Sequence, residues 1–388
     1  MADQFSEITS ESWFGRIGDS IKGILFGFIL IPISIVLLFW NESQVVTTAK
    51  SLKEGAASVV SVDAATVAPA NNQKLVHVSG EATTTDVVSD PTFAVSAPAI
   101  RLSRMAEMYQ WKENEKSETT KKLGGGTETV KTFSYEKTWS SDRIDSSRFK
   151  HPEDHINPGE KLAEDSTIVA PHVMLGAFKV PASVIGKMQG DEPIAPADAD
   201  LGKLKPDLRS KAKVGANGFY FGTDPSAPSI GDQRVTFKVL RPAVFSVLAQ
   251  QIGDTFAPYP TKAGSDIERV ESGTVSAAAM FQHAASENAM LMWGLRALGF
   301  IVMSLGIGLI LNPISIFADV IPFLGSILGT GVALAAILLG MAGSLVTVAI
   351  AWFVVRPVLG AALLALALAS LLLGRHFGSR RAAAAKTS

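Results

Sequence analysis

The stretch from Leu295 to Gly374 is apolar almost without interruption, and it restricts the possible folds more than any other part of the chain. Only Arg296, Asp319 and Arg356 carry a charge within it. No soluble core needs an unbroken apolar run of this length, whereas each helix that crosses about 30 Å of hydrocarbon needs about 20 largely apolar residues. The sequence therefore predicts a membrane-embedded bundle of α-helices.

Four transmembrane helices are predicted. The first covers residues 23–40 and follows an N-terminal tail with an interfacial helix over residues 1–22. Because proline and the residue before it disfavour a continuing helix, the pairs Asn312-Pro313 and Arg356-Pro357 divide the C-terminal stretch. We expect the other three helices at about 293–311, 327–355 and 357–374, with an interfacial or re-entrant segment over 313–326 and a basic tail over 375–388.

Residues 41–292 differ in character from both flanks and are predicted to form one large extramembrane domain. The segment carries 27 basic and 31 acidic side chains, so it is highly charged and mildly acidic. Apolar and polar residues alternate in runs such as Lys131–Tyr135, as in half-exposed strands, and Gly124–Gly126 suits the turn of a long hairpin. We expect a mixed α/β domain with mostly antiparallel strands.

Several classes of function are disfavoured by the composition. The chain has no cysteine, which excludes disulfides, thiolate nucleophiles and cysteine metal sites. It has no Gly-x-Ser-x-Gly elbow and no glycine-rich phosphate loop followed by Lys and Ser or Thr. The large domain also lacks the basic face that nucleic-acid binding needs. We therefore expect no enzymatic activity, no cofactor and no nucleic-acid partner.

The charges of the C-terminal tail predict the orientation in the membrane. Arg375, Arg380, Arg381 and Lys386 follow the last predicted span, and such basic segments tend to stay on the cytoplasmic side. With four spans, both termini lie on that side. The large domain then faces the periplasm or an organelle lumen.

Nine short motifs occur in order along the chain: Asn41-Glu42, Ser51–Gly55, Lys74–Gly80, Arg101–Arg104, Glu107–Trp111, Gly231–Val235, Thr261–Gly264, Trp293–Arg296 and Arg356-Pro357. Each motif is unspecific alone, but their order along nearly the whole chain resembles the transmembrane protein 43 (LUMA) family. The resemblance includes the arrangement of one span before the large domain and three spans after it.

This resemblance implies a four-span protein with a large periplasmic or lumenal domain and no enzymatic activity. Animal members of the family lie in the endoplasmic reticulum and inner nuclear membrane, associate with themselves and organise membrane protein complexes. The absence of cysteine and the compact loops favour a bacterial relative in the inner membrane, so nuclear-envelope partners do not carry over.

Residues at the predicted ends of the spans are the first candidate sites: Trp293, Arg296, Asp319 and Arg356. An ionisable group at membrane depth is costly and often functional. Long charged side chains near a span end can also reach the headgroups, so we expect snorkelling or headgroup pairing for these charges. A functional network of arginine and aspartate that joins the spans is the alternative.

The large domain contributes a second set of candidates. Glu107, Tyr109 and Trp111 alternate along one predicted strand and share a face. With Arg101 and Arg104 nearby, they form either a buried lattice of ion pairs and aromatic rings, which we favour, or an exposed binding face. Asp232 and Arg234 complete the set as charged residues of the Gly231–Val235 motif.

The segment from His151 to His155 is the densest group of potential metal ligands. Pro152 lies inside it and Pro158-Gly159 follows, which favours a loop over a helix that would place both histidines on one face. We expect a solvated loop without a metal.

The favoured function is that of a multi-pass membrane scaffold. It would associate with other copies of itself through its glycine-bearing spans and edge strands, and organise other membrane proteins through its large domain. The expected partners are the lipid bilayer, a second copy of the chain and other membrane proteins. A channel or transporter component is the first alternative, and a membrane-anchored hydrolase is the second.

Overall fold

The computed structural model describes residues 4–196, 201–215 and 217–358 of the chain. The chain divides into two compact units. The β unit comprises Met1–Thr9, Ser51–Glu118 and Thr129–His283. The helical unit comprises Ser10–Lys50, Thr119–Glu128 and Ala284–Ser388, and is described as far as residue 358.

Three long helices dominate the helical unit. Each of them is long enough and apolar enough to cross a membrane. The fourth predicted span, 357–374, lies outside the described residues from position 359 onward. The described helices are α1 (Trp13–Ser58), α2 (Ala182–Lys187), α3 (Pro206–Arg209), α4 (Ala277–Ala318) and α5 (Pro322–Val355), with short 3-10 turns at Pro69–Asn71 and Ser146–Arg148.

The ends of the long helices differ from the sequence-based expectation. The helix does not stop at Asn312-Pro313, because Pro313 lies inside α4 and the chain turns only between Asp319 and Ile321. A membrane helix tolerates proline because a broken helix would leave several backbone groups without partners in hydrocarbon. The separate interfacial segment over 313–326 is therefore not observed. For the same reason α1 contains Pro32 and continues well beyond residue 40.

The β unit is built from short strands and one long hairpin. The described strands are β1 (Gln4–Glu11), β2 (Val60–Asp63), β3 (Leu75–Thr83), β4 (Val87–Ser89), β5 (Ser96–Pro98), β6 (Arg101–Lys121), β7 (Thr127–Ser140), β8 (Ser166–Val169), β9 (Met174–Leu175), β10 (Phe178–Lys179), β11 (Glu192–Ile194), β12 (Ala212–Gly215), β13 (Gly218–Phe221), β14 (Gln233–Leu240), β15 (Ala243–Ile252), β16 (Thr255–Ala257), β17 (Tyr259–Pro260), β18 (Asp266–Ile267) and β19 (Arg269–Ser272).

Two large sheets contain most of these strands. The first has the order β1-β7-β6-β14-β13-β12, with β8 paired to β6 and β11 paired to β14. The second has the order β19-β15-β16-β10-β9-β3-β2, and a further pairing of β15 with β3 closes five of its strands into a ring. Pairs β4–β5 and β17–β18 form two small sheets.

Most of the described strand pairs are antiparallel, as the sequence predicts. The pairs β2–β3 and β10–β16 are parallel. Within the described residues, helix contributes less to this unit than the expected α/β class requires, because α2 and α3 have only six and four residues, and the long helices add only residues 51–58 and 277–283. The domain is therefore β-rich, with a mostly antiparallel fold.

The core of the β unit consists of the inward-facing residues of both large sheets. In β14, Val235, Phe237 and Val239 are buried while the residues between them are partly or fully exposed, as the two-residue period of a strand dictates. Phe93 is fully buried, and its ring centre lies 5.9–6.2 Å from those of Phe219, Phe221 and Phe237. A second, smaller hydrophobic cluster includes Leu248 and Phe281.

The hairpin predicted at Gly124–Gly126 is present. Strands β6 and β7 are neighbours in the first sheet and are joined by residues 122–126. Gly124 and Gly125 have φ angles of +83° and +80°, a left-handed conformation that favours glycine.

We expect Phe93→Ala to lower the melting temperature of the β unit. Truncation of a buried phenylalanine costs about 3–5 kcal/mol, which corresponds to roughly 6–20 °C. Thermal unfolding of the full chain, followed by near-ultraviolet circular dichroism, measures the effect. Val87→Ala is the control, because Val87 is 63% exposed. Equal melting temperatures for the two variants would contradict this assignment of the core.

Candidate functional site

A buried carboxylate, Glu42, connects the three long helices at one end of the helical unit. Its side chain is 0% exposed and lies on α1. Arg296 of α4 donates two hydrogen bonds to it, from Nε to Oε1 at 2.6 Å and from Nη2 to Oε2 at 2.9 Å. Trp352 of α5 donates from its indole Nε1 to Oε2 at 2.8 Å. We call these three residues the Glu42 cluster.

Aromatic rings surround the arginine of the Glu42 cluster. The Arg296 Cζ lies 4.9 Å from the ring centre of Trp293 and 5.8 Å from that of Trp352. Arg356 lies on the same tryptophan, with its Cζ 5.8 Å from the Trp352 ring centre. Cation–π contacts of this kind stabilise a guanidinium that has lost part of its hydration. The sequence candidates Trp293, Arg296 and Arg356 therefore lie close together.

The bidentate geometry explains how a glutamate is accommodated at this depth. An uncompensated charge in a bundle of apolar helices is costly, and both oxygens of Glu42 receive donors from other helices. Removal of one partner from such a buried pair costs about 3–5 kcal/mol, because the other charge stays buried. The Glu42 cluster thus fixes the position of α4 and α5 against α1.

A second buried carboxylate, Asp319, lies where the chain turns from α4 to α5. Its side chain is 0% exposed and carries two cations. Arg16 Nη2 donates to Oδ2 at 2.5 Å, and Lys121 Nζ donates to Oδ1 at 2.6 Å. Arg16 also donates from Nη1 to the backbone oxygen of Gly125 at 2.5 Å. We call Arg16, Lys121 and Asp319 the Asp319 cluster.

Backbone contacts hold the same three segments together around Asp319. The indole Nε1 of Trp13 donates to the Ile316 oxygen at 2.8 Å, and the Gly124 amide donates to the Val320 oxygen at 3.2 Å. A Cβ on Gly125 would lie only 2.4 Å from the Trp13 ring. This close approach explains a glycine at the position. The start of α1, the tip of the β6–β7 hairpin (residues 119–128) and the α4–α5 turn therefore form one site.

Small residues let the helices approach closely between the two clusters. A Cβ on Gly27 would lie 2.5 Å from the Gly306 oxygen, and a Cβ on Gly340 would lie 2.8 Å from the Ser304 Cα. The buried Ser34 hydroxyl donates to the Gly299 oxygen at 2.7 Å. Such contacts are typical of membrane helices, which pack without a hydrophobic driving force.

The two clusters are separated by about the thickness of a bilayer. Arg16 and Glu42 are 26 positions apart on α1, which corresponds to about 39 Å of helix at 1.5 Å per residue. This length exceeds the hydrocarbon core of about 30 Å and is slightly shorter than a bilayer with its headgroups, which is about 40–45 Å thick. Each cluster is therefore expected near a membrane boundary.

The tip of the β6–β7 hairpin lies beside the N-terminal end of α1. The sequence-based topology, which stays a prediction, puts all of residues 41–292 on the side of the membrane opposite the N-terminus. In the helical unit, Lys121 joins Arg16 on Asp319, and Gly125 accepts a hydrogen bond from Arg16, at the N-terminal end of α1. The ion pair of Lys121 with Asp319, which joins residues 198 positions apart, has no signal in the local sequence.

In the β unit, Arg101 and Arg104 both form ion pairs within the chain. Arg101 is buried and donates to the Ile185 and Met188 oxygens at 2.9 Å each, as well as to the Asp191 carboxylate. Arg104 donates from Nη1 to the buried Asp90 at 2.6 Å and from Nε to the Glu164 oxygen at 3.0 Å. Each guanidinium thus joins distant segments of the chain.

Glu107 and Arg234 form a cross-strand pair between β6 and β14. Arg234 donates from Nε to Oε2 at 2.6 Å and from Nη2 to Oε1 at 3.1 Å. The Arg234 Cζ lies 4.5 Å from the ring centre of Trp139. The ring centre of Tyr109 lies 5.1 Å from that of the same tryptophan. These contacts favour the lattice over the exposed binding face.

Asp232 organises a turn close to this lattice. Its Oδ2 accepts from the Tyr220 hydroxyl at 2.5 Å and from the Ser229 amide at 2.8 Å. The pKa of the Tyr220 hydroxyl is raised well above its usual range, mainly by burial and to a smaller extent by the hydrogen bond to Asp232. Tyr220 therefore stays protonated and remains a hydrogen-bond donor at physiological pH.

The loop expected at His151–His155 is present, but His155 itself is not solvated. His155 is 0% exposed, and its ring stacks on Tyr135 with 3.7 Å between ring centres and contacts Trp111 edge-on at 4.8 Å. Its Nδ1 lies 2.9 Å from the His151 oxygen. The histidine is buried because the aromatic residues of β6 and β7 enclose it. Within the described residues, no group of three or more His, Asp or Glu is arranged to hold a metal.

Several residues of the two clusters are not predicted from the sequence. Snorkelling was expected for the span-end charges, but Arg296 and Asp319 are paired within the chain, with Glu42 and with Arg16 and Lys121. Glu42 had a usable signal, since a glutamate directly follows the first apolar run. Arg16 and Lys121 had no such signal, because nothing in the local sequence identifies a partner that lies 303 or 198 positions away.

Three apolar helices held together by buried ion pairs, and a large antiparallel β unit, define a multi-helix integral membrane protein. The family profile for Transmembrane protein 43 matches residues 108–357. The chain is 33% identical to Transmembrane protein 43 of Rattus norvegicus over 371 residues, covering 93% of this chain and 91% of the relative. It is 32% identical to that of Homo sapiens over 371 residues, with the same coverage of 93% and 91%.

A more distant relative extends the comparison. The Transmembrane protein 43 homolog of Drosophila melanogaster is 27% identical over 357 residues, which covers 88% of this chain and 90% of the relative. No solved structure matches the chain significantly. The chain belongs to the transmembrane protein 43 family, which confirms the resemblance found in its motifs.

We expect Glu42→Gln to destabilise the helical unit. The amide cannot balance the charge of the enclosed Arg296, so the loss is about 3–5 kcal/mol, or roughly 6–20 °C in melting temperature. The measurement is thermal unfolding in lipid nanodiscs. Asp19→Asn is the control, because the Asp19–Lys22 pair is 65% and 74% exposed. A loss no larger than that of the control would show that Glu42 does not carry this role.

Thiol labelling tests the Asp319 cluster in a bilayer. The chain has no native cysteine, and Leu123 is 88% exposed beside the cluster. In sealed vesicles, we expect Leu123→Cys to react with a membrane-impermeant maleimide from the same side as Ser10→Cys. Lys50→Cys, beyond Glu42 on α1, should react from the other side. Labelling of Leu123→Cys together with Lys50→Cys would contradict the cluster and support the sequence-based topology.

Proposed function

We propose that this protein is a multi-pass membrane scaffold that associates with other copies of itself and organises membrane protein complexes. The observation that carries the proposal is the pair of ionic clusters, which fix α1, α4 and α5 at both ends. In the most apolar 18-residue stretch of each long helix, only 17–22% of the residues are buried within the chain. A fixed bundle with a largely outward-facing surface is suited to contact lipids and other helices.

Gly331 supports a contact between copies through α5. Several other glycines of this helix are accounted for, because Gly325 contacts Asp319, Gly340 contacts Ser304 and Gly343 contacts Met303. A Cβ on Gly331 would meet nothing within 4 Å. A glycine in the interior of a helix costs about 1 kcal/mol relative to alanine, and membrane helices use such positions for close contact with a neighbour.

The interior of the described bundle favours the scaffold over a channel or transporter component. Residues 23–41 of α1, 297–318 of α4 and 322–355 of α5 include no charged side chain and no histidine. Ion and proton pathways are usually marked by such residues at membrane depth. Ion flux through reconstituted vesicles that is lost in Asp319→Asn or Arg296→Gln would favour the channel instead.

The orientation and the compartment belong to the same proposal. We place the N-terminal end of α1 at the cytoplasmic side, because Arg16 and Lys22 lie there and the tail adds four basic residues. The absence of cysteine supports a location of the protein in the inner membrane of a bacterium. In a eukaryote, the corresponding location would be the endoplasmic reticulum and the inner nuclear membrane. The candidate residues of the β unit, including Trp111 and Asp232, are proposed to support the domain that recognises other membrane proteins.

Light scattering of the purified protein in detergent tests self-association. We expect a mass above that of one chain, and a shift of the distribution toward the single chain in Gly331→Leu. Gly18→Leu is the matched control, because a Cβ on Gly18 also meets nothing within 4 Å and Gly18 lies outside the apolar run. A strictly monomeric wild-type protein would contradict the scaffold.

A further inference from the structure

Two surfaces of opposite charge lie toward opposite edges of the first sheet of the β unit. Strand β12 forms one edge, and α3 lies directly before it in the chain. Strand β7 lies one strand from the other edge, and the long loop of residues 141–165 follows it. Four strand spacings of about 4.8 Å, or about 19 Å in all, separate β7 from β12. One copy of the β unit therefore presents its two charged surfaces toward different sides.

The first surface is the stretch of residues 203–213, which contains α3 and which we call the basic segment. Leu204 and Leu208 are 2% and 8% exposed and fix α3 on the core of the β unit. Even when the two aspartates that precede the segment in the sequence are counted, residues 195–213 keep a net charge of +2. The exposed charged side chains of the segment are five cations and one carboxylate: Lys203, Lys205, Arg209, Lys211, Lys213 and Asp207.

The second surface is the stretch of residues 153–165, which we call the acidic segment. It has a net charge of −4, and its one cation, Lys161, pairs with Glu164, with 3.1 Å between Nζ and Oε2. A cleft of about 470 Å³ opens between this segment and residues 143–147. Ile156, which is 68% exposed, lines the cleft. The exposed carboxylates of the segment are those of Glu153, Asp154, Glu160, Glu164 and Asp165.

The cleft suits the side chain of a lysine, which has an apolar stem and a charged end. Asn157 holds the cleft in shape, because it is 9% exposed and its side chain bonds to the backbone of Trp111 and Ile144. Arg143 also lines the cleft, but it donates from Nη1 to a backbone oxygen at 2.6 Å. Glu153 lies at the cleft and supplies a carboxylate for the amine. The apolar walls come from Ile144, Pro152, Ile156 and Pro158.

We propose that the basic segment of one copy docks on the acidic segment of a second copy, with the side chain of a lysine in the cleft. The proposal deepens the self-association inferred above and rests on it. Charge complementarity identifies the partner. Lys205 and Lys211 on one surface, and Glu153, Asp154 and Glu160 on the other, form no ion pair within the described part of the chain. Each surface thus offers the charges that the other lacks, which steers two copies together and fixes their register.

Docking between two different surfaces of identical chains is compatible with a shared membrane. Such a contact repeats by rotation from copy to copy and closes into a ring where the rotation allows it. A rotation about the membrane normal keeps every copy in the same orientation in the bilayer. Exposed ion pairs contribute only about 0–1 kcal/mol each, but copies that α5 already holds together meet at a high effective concentration. A contact of modest strength is therefore sufficient.

Crosslinking between two singly substituted chains tests the docking, since the chain has no native cysteine. Ser210→Cys lies in the basic segment, and Ile156→Cys lies at the cleft. The two variants carry different affinity tags, are reconstituted together in vesicles and are treated with a short bismaleimide, so that a dimer of unlike chains reports the contact. We expect roughly tenfold more of this dimer than with Val87→Cys in place of Ile156→Cys, because Val87 is 63% exposed but lies outside both surfaces.

A charge swap separates docking from chance collision. Lys205→Glu with Lys211→Glu in the first chain should lower the yield of the dimer to the background level, because like charges then face each other. Glu153→Lys with Asp154→Lys in the second chain should restore the yield. The matched control reverses two exposed lysines elsewhere in the β unit and should leave the yield unchanged: Lys53→Glu with Lys74→Glu.

Equal yields for Ile156→Cys and Val87→Cys, or no recovery in the charge swap, would overturn the docking. If light scattering of the same protein still shows masses above that of one chain, the self-association stands without this contact. A strictly monomeric protein would overturn both. A higher yield with Lys386→Cys in place of Ser210→Cys would assign the acidic segment to the basic C-terminal tail, and would also overturn the proposal.

Discussion

The pairing of two buried carboxylates determines how the long helices lie along one another. Glu42 and Asp319 are both 0% exposed and lie near opposite ends of the bundle. Neither charge is tolerable in this setting without cations, because transfer of an isolated ion from water into an apolar environment costs many kcal/mol. The partners come from other helices or from the tip of the β6–β7 hairpin, so satisfying both carboxylates fixes α1, α4 and α5 in one arrangement. The small residues between the clusters then permit the close contacts that this arrangement requires.

The β unit uses the same kinds of interaction for a different purpose. Arg101, Arg104 and Arg234 are each held by a carboxylate, and they join strands or loops that are distant in the sequence. The aromatic rings around Trp139 and His155 extend this lattice across β6 and β7. The β unit is thus a well-connected domain rather than a chain of loops.

The sequence predicts the elements of this protein better than their ends. Apolar runs identify the three long helices, since about 20 consecutive apolar residues are typical of a helix that spans a membrane, and alternation identifies strands such as β7 and β14. The predicted helix end at Asn312-Pro313 was wrong, because proline stops a helix in water more readily than in hydrocarbon. The β-rich character was underestimated because short strands carry a weak periodic signal.

The candidate sites were predicted only in part, for a related reason. Arg296 and Asp319 were identified because charges within apolar runs are conspicuous, but their partners Glu42 and Arg16 are 254 and 303 positions away. Such pairs exist only in the folded chain, so no local pattern shows them. His155 illustrates the same limit. The prolines around it predict a loop correctly, whereas its burial depends on rings contributed by β6 and β7.

A double-mutant cycle on Glu42 and Arg296 in lipid nanodiscs tests most directly whether a buried ion pair holds the long helices together. The free energy of unfolding is compared for the wild type, Glu42→Gln, Arg296→Met and the double variant. If the two residues form the ion pair that connects α1 and α4, the double variant loses less stability than the sum of the single variants, with a coupling above about 1 kcal/mol. Losses that add to within about 0.5 kcal/mol would contradict this role of the pair.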